Sequence, residues 1–175
     1  MLYTVLIVVG ILLAAIFIFA ATKPGTFRVE RARSIQAPPE KIFDLINNFH
    51  RWGLWSPWEK LDPMMKRTFA GAESGKGAVY EWAGNSKAGQ GRMEITGSVP
   101  SSKVTIKLDF LKPFEAHNTA EFTLDRQGSA TNVTWATFGP QVFMAKVMSV
   151  FVSMDRLIGK DFEAGLSNMK TIAEK

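Results

Sequence analysis

The chain has 175 residues, a formal net charge of +5, no cysteine, and 46% hydrophobic residues, with aromatic rings making up 11% of the whole. That apolar content excludes a disordered chain, and the missing cysteine excludes a disulfide framework or a thiolate metal site. Lys and Arg are spread along the sequence instead of forming one stripe, which argues against nucleic acid as a partner.

The first charged side chain is Lys23, and Leu2–Ala21 is almost wholly aliphatic or aromatic. A bilayer core about 30 Å thick needs roughly 20 apolar residues of helix, so this stretch has the length to span it. A cleaved leader would bring a basic start, a shorter apolar run and a small-residue cleavage site. Here no Lys or Arg precedes the run, and Phe19-Ala20-Ala21-Thr22 is a poor cleavage site. The expectation is an uncleaved single-pass anchor over 1–22, with a cleaved leader as the alternative, and one soluble domain over 23–175. Lys23, Arg28, Arg31, Arg33 and Lys41 all follow the span. The excess of basic residues on that side predicts a membrane protein whose soluble domain is cytoplasmic.

Alternation of Phe27, Val29 and Ile35 with charged residues predicts a strand over Thr26–Ile35. Ala37-Pro38-Pro39-Glu40 opens a helix whose apolar stripe is Ile42, Phe43, Leu45 and Ile46, and Asn47-Asn48 ends it. The tryptophan-rich run Trp52–Trp58 reads as a short helix that breaks at Pro57. From Met64 to Phe138 the period changes to two. Six strands are expected, over Lys66–Ala70, Ala78–Ala83, Gly91–Val99, Lys103–Leu111, Ala116–Asp125 and Thr131–Phe138. Their short connections make them an antiparallel meander. After Gly139-Pro140 the pattern predicts one long helix to about Ala173, with Gly159 and Gly165 allowing close approach to the sheet. Within it Val142–Val152 is apolar except for Lys146 and Ser149. Such a stretch either frames a cavity mouth facing the membrane or is buried against the Trp52–Trp58 segment.

Several segments resemble the START-like polyketide cyclase/dehydrase and lipid-transport superfamily, also called SRPBCC or Bet v 1-like. They are Gly77–Gly84, Gly91–Ile95, Asp109–Phe114, Val133-Thr134-Trp135, Met154–Leu166 and Trp52-x-x-Trp55-x-Pro57-Trp58. The similarity runs over about residues 27–173 and preserves element order. It implies an α+β helix-grip fold, a seven-stranded curved antiparallel sheet around a C-terminal helix with a hydrophobic cavity between them. The superfamily contains lipid carriers, quinone-binding proteins, aromatase/cyclases and chaperone activators, so function must be read from the site.

Such a cavity would be lined by the inward rows of the strands and the inner stripe of the helix. The candidate cavity residues are Trp55, Trp58, Tyr80, Trp82, Met93, Ile106, Phe110, Phe122, Trp135, Met148, Phe151 and Met154. Period-two apolar rows also exist wherever a sheet is covered, and then they are plain core. Methionine suits either use, as a gap-filler or as an adaptable ligand contact. Catalytic constellations are thin. His50 is expected at a surface helix end; His117, on a strand face with Thr119 and Glu121, is the one weak acid/base candidate. Gly75-Lys76-Gly77 and Gly89-Gln90-Gly91 fail the nucleotide-loop patterns, and no metal or cofactor is expected.

The sequence therefore points to a membrane-anchored domain that binds a hydrophobic small molecule: a lipid, a quinone or a polyketide-like compound. The alternatives are a cyclase/dehydrase-type enzyme and a non-catalytic, chaperone-like domain with a protein partner. Because only Thr22–Gly25 separate the span from the first strand, about 14 Å of extended chain at most, the domain is held at the membrane.

Overall fold

A computed structural model describes all of residues 1–175. Helix α1, Leu2–Thr22, is followed by β1, Thr26–Ile35, so three residues join them. Helix α2, Pro39–Asn47, leads through a 3₁₀ turn at Phe49–Arg51 to α3, Trp52–Trp55, and a second 3₁₀ turn at Pro57–Lys60. Six strands follow: β2 Lys66–Gly71, β3 Ala78–Ala83, β4 Gln90–Val99, β5 Lys103–Lys112, β6 Ala116–Gln127 and β7 Ala130–Pro140. Two helices close the chain, α4 Phe143–Ser149 and α5 Met154–Ala173.

The seven strands form one antiparallel sheet in the order β1-β7-β6-β5-β4-β3-β2, so the first strand returns to pair with the last. Register shifts in β4 at Gln90/Gly91 and Ile95/Gly97 bend the sheet, as an extra residue in one strand does. The concave side carries the alternate residues Tyr80, Met93, Ile95, Val104, Ile106, Ala120, Phe122, Val133 and Trp135, all buried. Phe162, Leu166, Met169 and Ala173 on α5 cover them, and α2 adds Ile42, Leu45 and Ile46. This is the helix-grip arrangement that the resemblance implies.

The tryptophan segment tightens the core by satisfying a helix end. The last carbonyls of α2 have no intrahelical partner. Trp52 Nε1–H donates to the Ile46 carbonyl and Trp55 Nε1–H to that of Leu45, each at 2.9 Å. Both indoles are thereby buried with their one polar atom paired.

The closing helix differs from the sequence expectation. It is two helices, with α5 starting afresh after Ser153, whose hydroxyl accepts the Arg156 N–H at 3.3 Å. Ser153 has extended backbone, and Asp155 sits in the first turn of α5, the usual signature of a helix start. Apolar periodicity ran through this cap because Val150, Phe151 and Val152 keep the pattern alive where the backbone leaves it.

Candidate ligand-binding site

Between the concave sheet, the first turns of α5 and the Trp52–Leu61 segment lies a hollow of about 380 Å³, within the usual range for small-molecule sites. Of its 22 lining residues, 16 are hydrophobic, so an occupant must itself be largely apolar. The sheet supplies Phe27, Tyr80, Trp82, Met93, Leu108, Phe110, Ala120 and Trp135; α5 supplies Met154, Ile158 and Phe162. Strand alternation explains the sheet set, since each of these residues shares the parity of the buried row on its strand.

Seven of the twelve residues named from sequence meet here: Trp58, Tyr80, Trp82, Met93, Phe110, Trp135 and Met154. Three others, Trp55, Ile106 and Phe122, are fully buried in solid core and do not line the hollow. The last two, Met148 and Phe151, lie outside it and face away from the domain, at 59% and 65% exposure. No residue of α4 is buried, and Ala145, Lys146, Val147 and Ser149 are half-buried; its packing partner is α1, not the tryptophan segment. Phe17 and Phe143 stack across that contact with ring centroids 6.1 Å apart.

One wall of the hollow is an aromatic stack. Trp135 stacks on Phe162 at 4.2 Å with the ring planes 3° from parallel, and lies against Phe122 at 4.9 Å. Trp55 and Trp58 meet it edge to face at 5.5 and 5.4 Å. Trp135 Nε1 is buried without a hydrogen-bond partner.

Six polar residues interrupt the apolar lining: Ser56, Glu59, Lys87, Asn118, Thr137 and Asp161. Glu59 and Asp161 place two carboxylates where none was expected from sequence. Both are engaged. Tyr80 O–H donates to Glu59 Oε1 at 2.5 Å, and Arg67 Nε–H donates to Glu59 Oε2 at 2.6 Å. Burial and this hydrogen bond push the Tyr80 phenol well above its ordinary range, while Glu59 raises the Arg67 guanidinium. Trp58 Nε1–H donates to Asp161 Oδ2 at 3.2 Å. Nothing in the local pattern marked Glu59 or Asp161, because their partners lie 8 to 103 residues away.

Asn118 is different. Its Oδ1 is buried and accepts no hydrogen bond, which leaves one polar acceptor in the wall unanswered. A Cβ on Gly139 of the neighbouring strand would collide with this oxygen, so the glycine makes its room. Strand parity carried the signal: if His117 faces outward, Asn118 faces in.

His117 does face outward, with its side chain 59% exposed, and so takes no part in the hollow. Its Nδ1 lies 2.7 Å from Asp109 Oδ1 across β5 and β6, and Lys107 Nζ is 3.1 Å from the other oxygen. The hydrogen bond to Asp109 raises the imidazole above its ordinary value despite some desolvation. Burial pushes Asp109 up, but hydrogen bonds from His117 and Lys107 outweigh it and hold the carboxyl below the ordinary range. His50 is also exposed and stacks on Phe69 at 4.0 Å. Phe49, Phe69 and Val79 line a second, more open hollow of about 310 Å³ there.

Comparison with known proteins gives a consistent picture. Residues 26–174 match the family model described as "Polyketide cyclase / dehydrase and lipid transport". No curated protein matches the sequence. Among solved structures, protein CV1439 from Chromobacterium violaceum is similar with a TM-score of 0.58 at 12% identity, covering 87% of this chain and 99% of that one. The Aha1 dimer from Colwellia psychrerythraea gives 0.59 at 13% identity, covering 85% and 96%. The di-domain ARO/CYC BexL from the BE-7585A biosynthetic pathway gives 0.62 at 15% identity, covering 90% of this chain and 53% of that one. At such identities the likenesses establish the fold alone.

Proposed function

This chain belongs to the polyketide cyclase/dehydrase and lipid transport family, and from that premise we propose that it is a membrane-anchored module binding an apolar small molecule in the hollow beneath α5. The ligand is a lipid, a quinone or a polyketide-like compound. The observation that carries this reading is the lining: an interior space bounded mostly by apolar side chains, with its two carboxylates already tied to Tyr80, Arg67 and Trp58. An apolar hollow of this size favours an occupant with a compact ring system or a single acyl segment. Asn118 Oδ1 adds one requirement, a hydrogen-bond donor on the ligand or on a water it carries.

Membrane anchoring is supported by α1, which is long and apolar enough to cross a bilayer, and by the basic residues that follow it. We place the domain on the cytoplasmic side on the same ground. The engaged state of Glu59, which accepts from both Tyr80 and Arg67, favours binding over catalysis, while Asp161 is tied through one oxygen to Trp58.

The apolar fluorophore N-phenyl-1-naphthylamine tests the binding site. The protein is expected to enhance its emission and to transfer energy to it from the tryptophans around the hollow. Leu108→Glu, a charge at a partly buried lining position, should abolish that signal while cooperative unfolding persists. A folded Leu108→Glu protein that takes up the probe as before would place the ligand elsewhere.

A further inference from the structure

The least soluble-looking surface of the molecule is α4 and the turn after it. Val142, Phe143, Met144, Met148, Phe151 and Val152 are all exposed, and within residues 142–152 the single charged side chain is Lys146. A contiguous apolar patch of this kind needs a partner. Its contact with α1 says which one. Phe143 stacks on Phe17, five residues before Thr22 and so about 8 Å below the end of α1 at ~1.5 Å per residue. A helix of 21 residues matches a hydrocarbon layer of ~30 Å. Phe17 therefore lies inside the acyl region near its edge, and Phe143 lies at the same depth. Interfacial helices bury their apolar face about 5–10 Å into this boundary zone.

The hollow adjoins the same level. Met154 and Ile158, in the first turns of α5 directly after the exposed turn, line it. Phe27 lines it too, five residues after the end of α1, and so does Thr137, near the end of β7 where the chain leaves for α4. Each chain segment that emerges from the membrane level runs straight into a wall of the hollow. Lys23, Arg28 and Arg156 flank these segments, suited to anionic headgroups.

We propose that α4 and residues 150–152 are embedded in the membrane leaflet beside α1, and that the hollow exchanges its ligand laterally with the acyl-chain region between this segment and the start of β1. The surface is a lipid-facing one, and its occupant is the hydrocarbon of the bilayer. This inference rests on the reading of α1 as a membrane span.

The natural absence of cysteine makes the test direct. Single Ile11→Cys, Met148→Cys and Ser74→Cys variants of the full chain are nitroxide-labelled in vesicles of phosphatidylcholine with a minority of phosphatidylglycerol. Labels at 11 and 148 are expected to collide more with oxygen than with a water-soluble nickel chelate, and the label at 74 to do the reverse. An embedded label at 11 with an aqueous one at 148 overturns the proposal and leaves the anchor standing. Aqueous labels at both overturn the anchor and the proposal with it. The lateral route has its own readout. Met148→Asp combined with Phe151→Asp should slow transfer of N-phenyl-1-naphthylamine from vesicles to protein about tenfold, with little change in equilibrium binding, because carboxylates are costly at that depth. An unchanged transfer rate overturns the route.

Discussion

At the scale of single residues, polar side chains decide which parts of this molecule are chemistry and which are scaffold. Glu59 shows how a carboxylate in an apolar wall is kept there: it accepts from Tyr80 and Arg67, and its side chain is only 10% exposed. Charge-assisted bonds of this kind fix geometry, and removing one partner would leave the other charge stranded. His117 and Asp109 form the contrasting case at the surface. The imidazole titrates above its ordinary value of 6.5 because Asp109 holds its proton. The contribution of the pair to stability is therefore fully present below that ordinary value and is lost as pH rises through the raised one. On the acid side Asp109 contributes above its ordinary value, near 3.8, and the contribution is lost as pH falls through the lowered one. Glu115, 3.3 Å from Nε2, adds to the upward shift, and Lys107 opposes it. Proton NMR should show His117 titrating above its ordinary imidazole range, and Asp109→Asn should bring it back down. A His117 titration unchanged by Asp109→Asn would remove this account of the pair.

At the scale of elements, two glycines in α5 make opposite predictions from the same substitution. A Cβ at Gly165 would lie 2.8 Å from Cζ3 of Trp135, a ring already clamped between Phe122 and Phe162. Gly165→Ala should cost about 1–3 kcal/mol, the range for overpacking a core. A Cβ at Gly159 would instead meet the guanidinium of Arg31, the far end of a flexible side chain that is ion-paired to Asp155 and Glu163. There the gain in helix propensity, roughly 1 kcal/mol, offsets the disturbance of these solvent-facing ion pairs, and Gly159→Ala should be near neutral. Thermal unfolding of the two variants side by side distinguishes them; equal destabilisation would mean that α5 sits on the sheet differently. Elements were also where the sequence was most readable. β1 and β3 begin and end where alternation places them, and the other five strands extend one to three residues beyond. Ser153 was missed because a capping serine inside an unbroken apolar pattern is a weak local signal.

At the scale of the whole molecule, legibility falls with sequence separation. The resemblance carried the fold, and strand parity carried most of the lining residues on the sheet. Neither tells solid core from hollow: Phe122 and Phe110 look alike in sequence, yet one is sealed behind Trp55 and Trp135 and the other faces the space. That distinction depends on how α5 and the Trp58–Leu61 turn close over the sheet, a matter of volumes from distant segments. The carboxylates of the wall were invisible for the same reason. On the proposed reading of α1 as a membrane span, its three-residue connection to β1 would hold the hollow beside the membrane level, where apolar ligands are most concentrated. The central claim, that an apolar molecule fills it, is tested most directly by native mass spectrometry of the full chain released from its own membranes in detergent. A bound species of defined mass that leaves on unfolding and is absent from folded Leu108→Glu protein is the predicted result. Native protein that flies empty, and stays empty after incubation with a lipid extract of the same membranes, would contradict the claim.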